Sequence, residues 1–453
     1  MTKQIRLNAF DMNCVGHIQH GMWTHPRDRS MHYTDLDHWV SLAQTLERGL
    51  FDGLFLADIL GVYDVFHNSP DASIRNAVQI PVNDPLLLVP AMAYATRNLG
   101  FGVTCNLTYE PPYTFARRMS TLDHLTKGRI GWNIVTGYLD SAARGMGLAE
   151  QPEHDSRYDQ AEEYMEVVYQ LWEGSWEDGA VLRDRDTRLY ADPSRIHRVQ
   201  HHGQHYKVDA IHLSEPSPQR TPVLYQAGAS ERGRAFAARH AECIFVNGQF
   251  RHNVREIVAD IRARAKAAGR DPYDIKFFVG ATVVVAPTEA EAQDKLAAYR
   301  EYASSEGALA HYSASVGVDF SRYSPDEPIR FVRTNALRSN LEAITVRSQG
   351  TEWTLRKLLQ MMVLGSRQAP IVGSPSGVAD QLQAWVEEAD VDGFNLSRTV
   401  IPECVGDFVS LVVPELQSRG AMKRGYAEGT LREKLFGLAA RLPPSHPAAS
   451  CRR

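Results

Sequence analysis

Short β-rich segments alternate with helical patterns along this chain, and that alternation restricts the fold more than any other feature. Several of the segments are nearly continuous in apolar residues, as strands buried on both faces of a parallel sheet are. Eight such units favour an α/β fold of the (β/α)8 (TIM) barrel type over a doubly wound parallel sheet, which is the alternative. The eight segments cover residues 5–10, 51–58, 100–106, 129–136, 222–228, 243–248, 275–285 and 391–397.

The chain has 453 residues. Because a barrel of this type needs about 250 residues, roughly 200 must lie outside it. The stretch after the fourth strand is polar and typical of an irregular extension. The stretch after the seventh strand is mostly helical, begins with Thr288 and Glu291 at capping-box spacing, and is a candidate lid. The predicted organisation is a single domain, 1–453, with insertions at about 177–221 and 287–375 and a C-terminal extension at about 415–453.

Charge, hydropathy and cysteine content argue against several classes of protein. A formal net charge of -5, with scattered lysines and arginines, predicts no nucleic-acid partner. No apolar run is long enough to span a membrane, and the first residues lack the apolar core of a signal peptide, so a cytoplasmic protein is expected. The five cysteines form no CxxC pair and no even framework, which indicates neither a zinc knuckle nor a disulfide scaffold.

Polar residues and glycines follow four of the predicted strands at the points where the strands end. The C-terminal strand ends of a (β/α)8 barrel form its active site, so these residues are expected to meet at one rim and contact a ligand. Helix caps and turns need the same residue types, and that alternative stays open for any single residue. The residues of this predicted rim are Asp58, Thr104, Asn106, Thr136, Tyr138, Gly228 and Ser230.

The segment QAGASERGRAFAARHAE (226–242) is typical of a phosphate site at a helix N-terminus. Gly228 lets the chain turn, Ser230 can cap the helix that follows, and Arg232 lies beside the exposed amides. The chain has no GxGxxG after its first strand and no GxxxxGK[ST]. Neither a nicotinamide-binding Rossmann site nor a P-loop is therefore predicted.

Histidines concentrate in the polar extension, and two more, one of them His17, follow the first strand. The extension lacks the spacing of zinc ligands and a carboxylate cluster, so a solvated surface is expected there, with a metal site as the alternative. Cys14 and His17 come directly after the first strand and so face the predicted rim, although a buried cysteine and a capped histidine without function are an equal alternative. The histidines of the extension are His197, His201, His202, His205 and His212.

Six segments, taken in order, resemble the flavin-dependent monooxygenases of the bacterial luciferase superfamily. The resemblance covers essentially the whole chain. It is to the subgroup of nitrilotriacetate, dibenzothiophene sulfone, dimethylsulfide and long-chain alkane monooxygenases, above all the last two. The segments are NAFDMNCVGHIQHGMW, LERGLFDGLFLAD, RRMSTLDHLTKGRIGWNIVT, EHDSRYDQAEEYMEVVYQLWEGSW, EPSPQRTPVLYQAGASERGRAFAARHAE and GVADQLQAWVEEADVDGFNLS.

The resemblance implies a barrel that binds reduced FMN (FMNH2) delivered by a separate NAD(P)H-dependent flavin reductase. In such enzymes O2 is the co-substrate, oxygen adds at flavin C4a, and the resulting hydroperoxide oxygenates a small or apolar organic substrate. Closure of the second insertion would exclude water. The resemblance also implies a homodimer or homotetramer, and an organosulfur or amine substrate is favoured over a long-chain alkane.

The resemblance assigns roles to individual residues. Those expected on the substrate side are Cys14, His17, Tyr63, Gln79 and His311. Those expected to contact FMN are Asp58, Thr104, His154, Tyr158 and Ser230, the last two near the phosphate.

The chain departs from the family pattern at Gly137 and Tyr138. The common pattern has Thr-Ser after the strand, and the alkane enzyme has a histidine where Tyr138 stands. Because a tyrosine stays neutral at pH 7, Tyr138 is expected to act beside the flavin as a neutral donor. A non-oxygenating flavin-binding barrel and a metal-dependent hydrolase barrel are the alternative functions.

Overall fold

The structure is a computed structural model that describes residues 3–228, 230–248, 250–330, 336, 352–362, 364 and 369–453. Eight parallel strands close into a barrel. They are β1 (Arg6–Met12), β2 (Gly53–Ala57), β3 (Gly100–Asn106), β4 (Ile130–Val135), β9 (Val223–Gln226), β10 (Cys243–Val246), β11 (Lys276–Val285) and β13 (Gly393–Ser397). Each strand lies within or beside one of the eight predicted segments, and the predicted (β/α)8 fold is confirmed.

Helices cover the outside of the barrel. They are α1 (Leu36–Arg48), α2 (Asp71–Arg75), α3 (Val89–Ala95), α4 (Pro112–Leu125), α5 (Asp140–Gly145), α6 (His154–Tyr169), α7 (Glu231–His240), α8 (Arg251–Ala267), α9 (Glu289–Tyr302), α10 (Ser305–Val316), α11 (Leu355–Met362), α12 (Pro375–Ala389), α13 (Glu403–Asp407), α14 (Val413–Ser418) and α15 (Leu431–Phe436). In the part of the chain described, no helix is long and apolar enough to cross a membrane.

Closure of the barrel is made by strands far apart in the sequence. On one side β1 pairs with β2, with Asn8 opposite Gly53, and on the other it pairs with β13, with Arg6 opposite Gly393. Strand β11 pairs with both β10 and β13, which completes the ring. All of these pairs are parallel, so the carboxyl ends of the eight strands meet at one mouth of the barrel.

The insertion after the fourth barrel strand is more regular than its sequence indicates. Instead of irregular chain, it contains two antiparallel hairpins, β5 (Val181–Asp184) with β6 (Leu189–Ala191) and β7 (Val199–His202) with β8 (Lys207–Ala210). Their strands are short, polar and largely exposed. Such strands carry no clear apolar alternation, and so the sequence gives no signal for them.

The insertion after the seventh barrel strand contains α9, α10, α11 and β12 (Ile371–Gly373), which pairs with the end of β11. The predicted capping box at its start is confirmed: Glu291 N–H donates to Thr288 Oγ1, and Thr288 N–H donates back to the Glu291 carboxylate. Part of the predicted lid, within 331–368, lies outside the described residues. Its role as a lid stays a prediction, as does the division of the chain into one domain.

An aromatic layer fills the middle of the barrel. The rings of Phe10, Phe55 and Phe245 contact one another edge to face, with centroids 5.0–5.9 Å apart. Below this layer, Leu431 and Leu435 of α15 pack into the same cluster and close the amino-terminal mouth of the barrel. The open space for a ligand is therefore above the aromatic layer, at the carboxyl-terminal mouth.

Candidate active site

A cavity of about 260 Å³ lies at the carboxyl ends of the barrel strands. Its floor is the aromatic layer, and its walls come from the ends of several strands and the loops after them. Most of the predicted site residues line it. These are His17, Asp58, Tyr63, Gln79, Thr104, Asn106, Thr136, Tyr138, Tyr158, Gly228 and His311. Their meeting at one mouth agrees with the predicted rim, and the role of each residue stays a prediction.

Four other predicted residues are not among those that line the cavity: Cys14, His154, Ser230 and Arg232. Each lies close to it. Cys14 is buried behind the wall in the loop after β1, where its thiol donates to the Gly16 carbonyl at 3.4 Å. The other three surround Tyr158, at the end of the cavity formed by α6 and α7.

Two polar side chains lie inside the strands that form the wall, and sequence reasoning missed both. Asn133 of β4 donates to the Thr104 hydroxyl at 2.9 Å, and Gln226 ends β9. The side-chain oxygens of both are buried, and neither has a hydrogen-bond partner within the described chain. A lone amide in an apolar run, as in GWNIV and VLYQ, is the signal that could have found them. Buried polar atoms without partners indicate where a polar ligand binds.

Asp58, directly after β2, is the acidic group of the cavity. Burial, together with the smaller effect of the nearby charge of Asp84, raises the pKa of its carboxyl to about 7, although a hydrogen bond from the Ile59 backbone acts in the opposite direction. No Lys or Arg is among the described residues that line the cavity. The carboxyl group is therefore largely protonated slightly below neutral pH, and it can then donate a hydrogen bond to a ligand.

A chain of hydrogen bonds crosses one wall of the cavity. The Tyr63 hydroxyl donates to Gln79 Oε1 at 2.7 Å, and Gln79 Nε2 donates to the His17 carbonyl at 2.6 Å. The Tyr138 hydroxyl lies 3.1 Å from the Tyr63 hydroxyl. Because Tyr63 gives its only proton to Gln79, Tyr138 is the donor in that contact. The donor role expected for Tyr138 toward the flavin stays a prediction.

The backbone conformation of Gly137 determines how Tyr138 reaches this series of hydrogen bonds. Its φ is +70°, in the left-handed region, and a Cβ at this position would lie 2.5 Å from Asn106 Nδ2. Both observations favour glycine over any other residue here. The departure from the family pattern at Gly137 thus has a local structural cause.

The loop that carries Cys14 and His17 is held by Arg398, which follows β13. Its guanidinium donates to the carbonyls of Cys14 and Val15 at 2.9 and 2.8 Å and lies 2.7 Å from the Asp11 carboxylate. The charge of Arg398 partly offsets the effect of burial on Cys14, yet burial dominates and raises the pKa of that thiol to about 12. A thiol with so high a pKa is not a nucleophile at neutral pH.

The end of the cavity beside α7 has the features of a phosphate site. Ser230 caps α7, and its Oγ accepts from Gly233 N–H at 3.0 Å. A Cβ at Gly228 or at Gly233 would lie 2.8 Å from the Tyr158 hydroxyl, so both glycines leave room for that group. Arg232 forms an ion pair with Asp159 at 2.9 Å. Helix amides, a serine and a tyrosine hydroxyl therefore meet where an anion can bind.

Three of the five histidines of the polar extension make side-chain contacts within the protein, and one of them, His212, is buried rather than on the solvated surface expected there. His197 pairs with Glu177 at 2.7 Å, His201 with Glu163 at 3.1 Å, and His212 contacts the Ser120 hydroxyl at 2.9 Å. Among the residues that the structure describes, no group of three or more His, Cys, Asp or Glu side chains is arranged to hold a metal ion.

The chain is similar over its whole length to several known proteins. The chain is 52% identical over 453 residues to the long-chain alkane monooxygenase of Geobacillus thermodenitrificans (strain NG80-2), covering 100% of this chain and 99% of that one. It is 48% identical to the dimethyl-sulfide monooxygenase of Hyphomicrobium sulfonivorans, covering 100% and 94%. A crystal structure of riboflavin lyase with modified FMN and riboflavin superimposes with a TM-score of 0.93, 37% identity and full coverage of both chains.

These matches indicate the family of the chain, and a direct match to the family itself indicates the same one. Residues 17–393 match the luciferase-like monooxygenase family. The predicted superfamily is thereby confirmed, and a flavin is the cofactor that this family implies. The chain belongs to the luciferase-like monooxygenases, a family of flavin-dependent oxidoreductases.

Proposed function

We propose that this protein is the oxygenase of a two-component system, which receives reduced FMN from a separate NAD(P)H-dependent flavin reductase. We further propose that it oxygenates a small, uncharged organosulfur or amine substrate. The observation that carries the proposal is a single cavity with a phosphate-type end, unpartnered polar atoms along one wall and an aromatic floor. A cavity with these three parts suits a ligand that has a phosphate, a polar chain and a planar ring.

The residues present fit a bound flavin mononucleotide. The N-terminus of α7 with Ser230 and Tyr158 suits the phosphate. The unpartnered oxygens of Asn133 and Gln226 suit the hydroxyl and N–H donors of the ribityl chain and the ring. The absence of both nucleotide-binding motifs from the sequence supports an external supply of reducing equivalents.

Bound reduced flavin supplies the two electrons with which O2 yields one oxygen atom in the product and one in water. The chain's own residues bind, orient and keep water out. The floor of Phe10, Phe55 and Phe245 gives a dry surface for the ring and the substrate. Asp58 and the hydrogen-bonded tyrosines provide groups that hold a proton at defined atoms: the Asp58 carboxyl and the Tyr138 hydroxyl.

The charges around the cavity support the proposed substrate class. The described residues lining the cavity include no Lys or Arg, and burial lowers the pKa of His17 well below its usual range, so this imidazole is neutral. A carboxylate substrate would lose its hydration on entering the cavity and would find no cationic partner on the described wall. An uncharged molecule avoids this desolvation cost. The apolar residues Ile18, Leu60 and Ala142 on the wall suit an alkyl group. The second candidate is hydroxylation of a long-chain alkane, which the 52% identity to the alkane enzyme supports.

The test uses the purified protein with chemically reduced FMN, oxygen-18 gas and one candidate substrate at a time: dimethyl sulfide, N,N-dimethylaniline (an amine that is uncharged at neutral pH) or hexadecane. We expect product that carries one labelled oxygen, with no reductase and no NADH present. NADH with oxidised FMN should give no product until a flavin reductase is added. Turnover with NADH alone would overturn the two-component proposal, and labelled product from hexadecane only would replace the favoured substrate class. Light scattering on the same sample tests the expected homodimer or homotetramer.

A further inference from the structure

We propose that His20 is a positioning residue for His311: it donates a hydrogen bond to His311 Nδ1 and so keeps the proton of His311 on Nε2. The importance of this arrangement rests on the proposed function, because His311 lines the proposed substrate cavity. The arrangement itself is a property of the protein without cofactor or substrate.

The two rings are in direct contact. His20 Nε2 lies 2.9 Å from His311 Nδ1, and the ring planes meet at 80° with centroids 5.0 Å apart. His20 is 3% exposed. Its backbone carbonyl accepts from Ser304 N–H at 2.9 Å. Helix α10 lies so close to His20 that a Cβ at Gly307 would be only 2.8 Å from the His20 Cβ, and glycine permits this approach because it has no Cβ. His20 is thus fixed between the loop after β1 and the start of α10.

Burial, with a smaller effect from the charge of Arg398, lowers the pKa of His20 to about 3. The ring is therefore neutral at physiological pH and carries a single N–H. A neutral imidazole places that proton on either nitrogen, and the partner of each nitrogen decides which.

The surroundings of His20 select one of the two tautomers. Its Nδ1 is buried and has no hydrogen-bond partner within the described chain. Either tautomer leaves Nδ1 unpaired. A proton on Nδ1 would make it a buried N–H donor without an acceptor, which is rarer in proteins than a buried acceptor without a donor, whereas a proton on Nε2 has His311 Nδ1 as its acceptor at 2.9 Å. His20 therefore donates from Nε2, and His311 accepts at Nδ1. A neutral His311 then carries its own proton on Nε2, the nitrogen that does not face His20.

This fixed tautomer matters because of what His311 contacts. Its ring stacks on Tyr63, with centroids 5.0 Å apart and planes at 19°, and it lines the cavity beside Tyr63. A second, smaller cavity lies on the other side of the pair, lined by both His20 and His311. His20 thus sets, from outside the main cavity, which nitrogen of a cavity-lining ring carries a proton.

The direct test is the ¹⁵N spectrum of the cofactor-free protein labelled in histidine, since a bare and a protonated ring nitrogen have well separated shifts. The His311 signals are assigned by their loss in His311→Gln. We expect a bare Nδ1 and a protonated Nε2 in the wild type, and the same pattern in His20→Gln, whose amide can donate. In His20→Leu we expect a mixture of tautomers. A protonated Nδ1 in the wild type, or an unchanged His311 pattern in His20→Leu, would overturn the proposal.

Activity gives the second readout. In the reduced-FMN assay, His20→Leu should lower the amount of product per O2 consumed about tenfold, the equivalent of one lost hydrogen bond, with the KM for substrate changed less than kcat. His20→Gln should recover most of the loss, whereas a purely structural role would be served as well by leucine as by glutamine. Equal coupling in the two variants would contradict the positioning role. Because the spectra need neither flavin nor substrate, a failure of the proposed function leaves the tautomer result interpretable.

Discussion

Two aspartates near the opposite ends of strand β2 have opposite environments. Asp52, just before the strand, accepts from Leu7 N–H at 2.8 Å and pairs with Lys423 at 2.6 Å and with Arg6 at 3.3 Å. Burial alone would raise its pKa, but these charges and hydrogen bonds hold the pKa below its usual range. Asp58, just after the strand, has no such cation among the described residues that shift its pKa, and burial and Asp84 raise that pKa to about 7.

The same contrast extends to the two mouths of the barrel. At the amino-terminal mouth the buried charge of Arg432 pairs with Glu242 at 2.6 Å and also donates to the carbonyls of Thr221 and Pro222. At the carboxyl-terminal mouth the side-chain oxygens of Asn133 and Gln226 are left without partners in the described chain. The Arg432–Glu242 pair is thus satisfied from within the protein. The oxygens of Asn133 and Gln226 are left open to the proposed ligand.

The largest effect is expected at the amino-terminal mouth of the barrel, the one that α15 closes. Arg432→Met should lower the free energy of unfolding by about 3–5 kcal/mol, because it leaves the buried carboxylate of Glu242 without its partner. Urea unfolding followed by circular dichroism measures this. The matched control is Arg356→Met, which removes the exposed ion pair with Asp326 and should leave the unfolding midpoint nearly unchanged. A similar unfolding midpoint for both variants would show that the ion pair at the amino-terminal mouth contributes no more to stability than the surface ion pair does.

The second effect concerns the two aspartates. Asp58 has a folded-state pKa above its unfolded value, so its contribution to stability falls as pH rises from about 4 to 7. Asp58→Asn should therefore raise the free energy of unfolding by roughly 4 kcal/mol above pH 7, and by nearly nothing at pH 4. Asp52, with its lowered pKa, contributes its stability above the unfolded pKa and loses it as pH falls through the folded one.

Urea unfolding of both variants at pH 4.5, 6 and 8 checks this prediction. Asp52→Asn should destabilise the protein by a similar amount at pH 6 and pH 8, whereas the gain in Asp58→Asn should grow between them. Parallel pH profiles for the two variants would show that the ends of β2 do not differ in the way described.

The third prediction tests the phosphate end of the open mouth. Ser230→Ala removes the cap of α7 and a hydroxyl beside the proposed phosphate position, so FMN affinity should fall tenfold or more, about 1.5–3 kcal/mol. Riboflavin, which has no phosphate, should lose much less. Arg232→Gln should have a smaller effect than Ser230→Ala, because Arg232 is already paired with Asp159. Isothermal titration with both flavins gives the comparison, and an equal loss for riboflavin would remove Ser230 from the phosphate site.

The smallest effect is expected for Tyr138→Phe, which keeps the ring and removes the hydroxyl that donates to Tyr63. Loss of one neutral hydrogen bond is worth about 0.5–1.5 kcal/mol, so product per O2 consumed should fall about threefold, with the difference released as hydrogen peroxide. FMN affinity should stay within about twofold, an effect smaller than one such hydrogen bond. Product and peroxide are measured in the same reaction. An unchanged amount of product per O2 consumed would show that Tyr138 contributes only packing.

The barrel could be predicted from the sequence because its signal is local. Each barrel strand is a short apolar run of residues that follow one another, and the glycines and polar residues after it mark its end. The capping box at Thr288 and the helix cap at Ser230 are local signals too, and both are present in the structure. The hairpins between β4 and β9 have no such signal, since exposed polar strands are held by their pairing.

The finer parts of the site depend on contacts between distant residues. Arg398 holds the Cys14 loop across a sequence separation of 384 residues, and His20 meets His311 across 291. No pattern within a short window distinguishes such a residue from any other buried arginine or histidine. The donor direction of Tyr138 likewise follows from Gln79 and Tyr63 only when all three are placed in space.

Helix α15 follows β13 in the chain, and this order has a consequence for synthesis on the ribosome. The barrel can close only when β13 has emerged to pair with β1, and its lower mouth is filled only when Leu431 and Leu435 have been made as well. At roughly 5–20 residues per second, several seconds separate the two events. During that interval the nascent barrel exposes its aromatic layer to water from below, which leaves an apolar surface open to chaperone binding and to aggregation.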